Sequence, residues 1–243
     1  MPVSELLAWQ DDQDAGARRH PRYRANRAAA LAMLGRFAEA RSLLAELRAE
    51  LAERGGGLML AVADVVAGIE IELLAGDPAA AVAAGDEGCR VLEELGQESV
   101  LSISAGLLAQ AYYALGRLEK ADSWASRAAE LGASDDAVTQ MVWRQVNAKV
   151  LARRGEHAEA ERLAREAVAI GEGTDLLNAQ AEACADLAEV LAAGGRPEGA
   201  VEALEQALAR YERKENLVMA ERARARLAKL RPSETAAPST RTP

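Results

Sequence analysis

The stretch LGRLEKA at residues 115–121 decides the fold, because the chain writes variants of it four more times. These are LGRFAEA at 34–40, AGDPAAA at 75–81, RGEHAEA at 154–160 and GGRPEGA at 194–200. The glycines Gly35, Gly76, Gly116, Gly155 and Gly195 stand 41, 40, 39 and 40 residues apart, and the fifth residue beyond each is an alanine: Ala40, Ala81, Ala121, Ala160 and Ala200. A glycine in this setting ends an incoming helix in the left-handed conformation, which it adopts at little steric cost. Pro78 and Pro197 fall two positions later, where the next helix begins and a missing N–H does no harm. No other proline stands between Pro21 and Pro232, so the rest of the chain is free to be helical.

Working outward, each glycine follows an apolar segment and precedes a second helix with apolar residues at i, i+3 or i+4, as in Ala160, Leu163, Ala164, Ala167 and Val168. The recurring alanines belong where paired helices cross. The expected pairs lie at 22–54, 58–95, 98–132, 135–171 and 175–213, followed by a last helix near 215–230. Residues 1–21 are expected to be partly helical or disordered, 22–230 to form one repeat domain, and 231–243 to be a disordered tail without large apolar residues.

Composition agrees with this plan. The 243 residues include 56 alanines, and only 3% of the chain is aromatic, which favours closely packed helices over strands. The net charge of −9 removes the basic face that drives non-specific nucleic-acid affinity, so nucleic acid is disfavoured as a partner. The start of the chain has no basic and apolar pattern of a secretory signal. The most apolar stretch, 58–75, carries Asp64, Glu70 and Glu72 and fails as a membrane span. Cys89 and Cys184 stand alone and read as buried thiols, which places the chain in the cytoplasm.

The sequence offers no catalytic centre. It has no GxxxxGK[ST] phosphate loop, GxGxxG fingerprint or GxSxG elbow, and only His20 and His157 as histidines. His157 holds the turn position filled elsewhere by Phe37, Pro78, Leu118 and Pro197, which is a packing place. The acids Asp11, Asp12 and Asp14, and the pair Asp135–Asp136, read as solvated helix starts. The basic run from Arg18 to Arg27 reads as a solvated helix face. No enzyme activity, cofactor or metal is therefore expected.

The pattern resembles the tetratricopeptide repeat. Seven residues before the turn glycine it has Ala28, Ala109, Ala148 and Ala188, and four before it Leu31, Tyr112, Leu151 and Leu191. The second repeat departs, with Ile69 and Glu72 at those places and with Gly85 and Gly88 in its second helix. The stretches 152–168 and 186–216 are further similar to the C-terminal repeat regions of bacterial signalling proteins that carry a cyclase or transcriptional domain and an AAA-type ATPase. That resemblance implies a repeat module without its catalytic neighbours.

The resemblance implies an all-α, right-handed superhelical solenoid of about five helix pairs plus a C-terminal capping helix, with the first helices lining a concave groove. Residues six and ten before the glycines would face that groove. Glu70, Gln110, Gln145, Lys149 and Glu189, with Tyr113 and Arg144 close by, are the candidate partner-binding residues. Tyr112 is expected as core, while Trp143 stands close to the groove face with inter-repeat core as the alternative. The expected function is a non-catalytic protein-interaction or regulatory module of bacterial signalling that binds a protein or peptide. The alternative is a sensor for a small ligand or peptide. The Lys/Asn carboxylate clamp used by some of these repeats is not evident, and the oligomeric state stays open.

Overall fold

A computed structural model describes residues 1–231, and the expected tail at 231–243 lies, but for Arg231, outside them. The described residues form helices and no strand. Two helices lead in, α1 (Val3–Asp11) and α2 (Ala15–Arg19). Pairs follow: α3 (Pro21–Met33) with α4 (Phe37–Glu53), α5–α6 with α7 (Pro78–Glu94), α8 (Glu98–Ala114) with α9 (Leu118–Leu131), α10 (Ala137–Arg153) with α11 (His157–Glu172), and α12 (Leu177–Ala193) with α13 (Pro197–Lys214). In the second pair the first helix is split into α5 (Gly57–Ala63) and α6 (Ile69–Ala75) by a π turn at Asp64–Gly68. The last helix is α14 (Leu217–Leu230).

The repeated phrase does in the structure what its residues dictate. All five turn glycines have φ between 73° and 85°. The residue after each donates its N–H five residues back, as from Arg36 to Leu31 at 3.0 Å and from Arg196 to Leu191 at 2.9 Å, which satisfies carbonyls left open at the helix end. All five alanines of the phrase are 0% exposed. Helices can therefore approach until the alanine methyl touches its neighbour, and a larger side chain would overpack the crossing.

The departure of the second repeat is a compensated exchange of sizes. Ile69 stands where the other repeats have alanine, and Gly85 stands in the facing helix where they have Leu44, Ala125, Ala164 and Leu204. A Cβ on Gly85 would come within 2.9 Å of Ile69 and 2.7 Å of Leu108. A Cβ on Gly88 would lie 2.4 Å from Val65. Bulk has moved from α7 to the first helix of the pair, and the interface is filled from the other side.

Residues 1–21 are packed as α1 and α2: Val3 is 0% exposed, Leu7 is buried, and α1 lies against α3. The two ends of the solenoid also meet. α14 packs on α13 and on α3, and Met219 belongs to both the N-terminal and C-terminal cores. Arg222 donates to the carbonyls of Leu73 and Leu74, the latter at 2.7 Å, and so caps the C-terminus of α6. Lys214 donates to the Met1 carbonyl at 3.0 Å, and the Ser4 N–H to the Glu215 carboxylate at 2.7 Å. The expected open groove is thereby turned into a central cavity.

Candidate functional site: the central cavity

The cavity has a volume of about 860 Å³ and is walled by α6, the π turn, α8, α10, α12 and the ends that close upon them. Glu70, Gln110, Tyr113, Lys149 and Glu189 all line it. Four of these stand six residues before their turn glycines, so successive first helices present the same turn to the interior. Val66, Leu73, Ile103 and Leu107 supply an apolar wall between them.

The polar groups fall into two sets. In the first, Tyr113 donates its hydroxyl to Glu189 at 2.5 Å and accepts from Arg153 Nε at 3.1 Å. Lys149 Nζ lies 4.8 Å from the centre of the Tyr113 ring and 2.9 Å from Asp186. Burial raises the Asp186 carboxyl, and the Lys149 ammonium opposes that rise. Burial and the Glu189 carboxylate hold the Tyr113 phenol well above its ordinary range.

The second set has no cation. Glu182 accepts from Asn178 Nδ2 at 2.8 Å, and Asn178 in turn accepts from Asn216 Nδ2 at 2.8 Å. Glu70 has no hydrogen-bond or ion-pair partner among the described residues. Burial pushes the Glu70 carboxyl up to about 7. Burial, reinforced by Glu70 and Asp186, pushes that of Glu182 up to about 8. Tyr211, also on the cavity wall, is 0% exposed and its hydroxyl has no partner. The remaining cations are committed elsewhere, Arg226 to the Ala185 carbonyl at 3.3 Å and Arg222 to the end of α6.

Two expected groove residues are placed differently. Gln145 is 1% exposed and is not part of the cavity wall, because that turn of α10 is covered by α8 and α12. Arg144 points to the second helix of its own pair, bonding Glu166 at 3.2 Å and stacking 4.1 Å from the Trp143 ring. Tyr112 is core, 5% exposed, with its hydroxyl donating to Asp86 at 2.8 Å. Sequence reasoning missed Glu182 and Asp186, although with Glu189 they recur at i, i+4 and i+7 on a helix whose other polar residues are Asn178 and Gln180. It also missed Tyr211, Lys214, Arg222 and Arg226, which reach the cavity only because the ends meet. No group of histidines, cysteines and acids suited to a metal occurs among the described residues. Cys89 and Cys184 are free and buried, and burial pushes the Cys89 thiol up to about 12.

Sequence models of the tetratricopeptide repeat match residues 148–173 and 180–217 in one form and 21–46 and 104–127 in another. No curated protein matches the chain in sequence. Solved structures are similar in fold, two of them as follows. One is a putative kinesin light chain from Podosopora anserina with nearly identical TPR-like repeats, at 20% identity and TM-score 0.54 over 79% of this chain and 96% of that one. The other is BtubC (BKLC) from P. vanneervenii, at 16% identity and TM-score 0.59 over 100% of this chain and 99% of that one. These findings bear on the repeat and its solenoid fold, and not on the narrower likeness to cyclase-linked regions. No described helix is long and apolar enough to cross a membrane.

Proposed function

We propose that the chain is a tetratricopeptide-repeat protein and, from that premise, that it is a non-catalytic module of bacterial signalling that takes a segment of a protein partner into its central cavity. Tetratricopeptide repeats mediate protein–protein interaction. The observation that carries the finer reading is the convergence of Glu70, Gln110, Tyr113, Lys149 and Glu189, from four different repeats, on one cavity. Polar anchors around an apolar wall fix the orientation of a guest while burial of its apolar part supplies affinity. The signalling context and a cytoplasmic place rest on the sequence likeness of 152–168 and 186–216 and on the two free thiols.

One observation favours a second reading, a sensor for a small ligand. A volume of about 860 Å³ falls within the range of roughly 300–1,000 Å³ typical of small-molecule sites.

Affinity capture with two baits tests the proposal. One is the wild-type chain, the other Ala179→Trp, which fills the cavity without altering its charges. A protein captured by the first and lost from the second, with its binding segment then measured by calorimetry, supports occupancy of the cavity by a partner. A protein held equally by both overturns it and moves the interaction to the outer surface.

A further inference from the structure

We propose that the cavity carries a site for an organic cation, an ammonium or guanidinium group accepted by the Glu70 and Glu182 carboxylates and the Tyr211 hydroxyl. The site lies in the cavity assigned above to the partner and so rests on that assignment.

Three independent observations point the same way. Glu70 and Glu182 reach the same cavity from different helices, interact with one another, and have no lysine or arginine within ion-pair distance among the described residues. The nearest cations make their close contacts elsewhere, although Lys214 still acts on Glu70 and Lys149 on Glu182 from beyond ion-pair distance. Lys149 pairs with Asp186, Arg153 with Tyr113 and Glu189, and Lys214 donates to the Met1 carbonyl. Lastly, Tyr211 presents a fully buried hydroxyl with no partner at the same wall, beside Glu182 and Asp186. A buried, unsatisfied hydroxyl next to unpaired carboxyls is costly as it stands and is satisfied by a donor that brings positive charge. The donor set is two carboxylates and a phenol, with neither histidine nor thiolate, and the wall around it is aliphatic. A hydrocarbon-borne cation, such as an alkylamine or the side chain of lysine or arginine, therefore fits the chemistry better than a metal ion.

Such a guest also changes the protonation of the site. Empty, the two carboxyls hold protons near neutrality because burial and their mutual repulsion oppose ionisation; Asp186, Lys149, Lys214 and Tyr211 are the other titratable groups facing them. Seating a cation restores both to the ionised form, so binding near pH 7 releases protons and strengthens as pH rises.

The test is isothermal titration of the full chain at about pH 8.5 with n-butylamine, with 1-butanol as the uncharged match. Saturable binding of the amine, no binding of the alcohol, and proton uptake by the buffer when the titration is repeated near pH 7 are expected. Glu70→Gln and Glu182→Gln should each weaken the amine by at least about tenfold, and Tyr211→Phe, which keeps the packed ring, by about threefold or more. Equal response to amine and alcohol in the folded wild-type chain overturns the site, whatever the variants do. A second arm separates the sources of the cation with a blocked tetrapeptide carrying one lysine and its norleucine twin. Binding of butylamine and the lysine peptide upholds the site as a reader of a partner's side chain. Binding of butylamine alone upholds the site but assigns it to a free amine, which overturns the protein-partner reading. If neither amine binds while capture by the wild-type bait still depends on an empty cavity, the cation site falls and the partner reading stands.

Discussion

The outer face of α11 and the inner face of α12 are both rich in acids, and they treat them in opposite ways. On α11, Arg162 bonds Glu159 at 2.5 Å and also reaches Glu166, three and four residues away, and Arg165 bonds Glu161 at 2.8 Å. The pattern repeats on α7, where Arg90 bonds Glu87 at 2.6 Å and Glu94 at 2.5 Å. These pairs are mostly local and serve the helix and its solubility, although Glu161 also bonds Arg196 of the next pair at 2.5 Å and Glu166 also bonds Arg144 at 3.2 Å. On α12, Glu182, Asp186 and Glu189 look into the cavity. Their partners come from other repeats, as Lys149 and Tyr113 do, or do not exist. Placing carboxyls where water cannot fully solvate them opposes folding, which sets the inner wall apart energetically from the outer face.

Removing the one close buried ion pair should have the largest effect. Lys149→Met leaves Asp186 without its counter-charge in a half-dry wall and should cost about 3 kcal/mol in denaturant unfolding, while the double variant with Asp186→Asn should recover most of that. Equal loss in the single and double variants would mean that packing by the lysine stem matters more than its charge.

Next comes the pH dependence of the unpaired carboxyls. Their pKa values are raised in the folded state, to about 7 and about 8, so the folded chain holds protons that the unfolded chain gives up from pH 4.5 upward. Stability is therefore unpenalised below the unfolded value and is lost progressively as pH rises toward 8. The double variant Glu70→Gln, Glu182→Gln should be more stable than wild type at about pH 8.5 by roughly 3 kcal/mol and nearly equal to it at about pH 4.5. Thermal melts across that window give the answer, and parallel profiles for the two proteins would erase the contrast between inner and outer faces.

A smaller inner-wall effect belongs to Tyr113→Phe, which removes the hydroxyl between Glu189 and Arg153 and should lower stability by about 1 kcal/mol by chemical denaturation. At the far end of the scale, Arg162→Ala on α11 should leave the melting temperature unchanged within error, since the arginine and its partners Glu159 and Glu166 are exposed surface side chains. A clear drop there would show that the outer pairs act as a network rather than as local surface charge.

The repeat architecture was legible because it is written in local chemistry. A left-handed glycine, a proline at the next helix start and an alanine at the crossing each report on a few neighbouring residues, and each stands where that chemistry requires. Even the departure at Ile69 is readable beside Gly85, as a size exchange across one interface. The inner wall was legible through register. Residues six before the glycines reach the cavity in four repeats, whereas the turn above fails at Gln145, because neighbouring first helices cover it in the middle of the stack. What no local pattern announces is closure. α14 meets α3, about two hundred positions away, through Val218 and Met219, and meets α6 through Arg222, and these look like any surface-helix side chains until the superhelix has turned far enough to bring them round. Tyr211 and Lys214 were missed for the same reason.

The central claim is that the inner wall holds two carboxyls without an ion-pair partner, and carbon-13 NMR of labelled glutamate side chains addresses it most directly. Glutamate resonances assigned by Glu70→Gln and Glu182→Gln should titrate near 7 and near 8 in the free protein, and both midpoints should fall when n-butylamine is added. If every glutamate instead titrates in the ordinary range near 4.5, with or without the amine, the inner wall is as well solvated as the outer face and the account is contradicted.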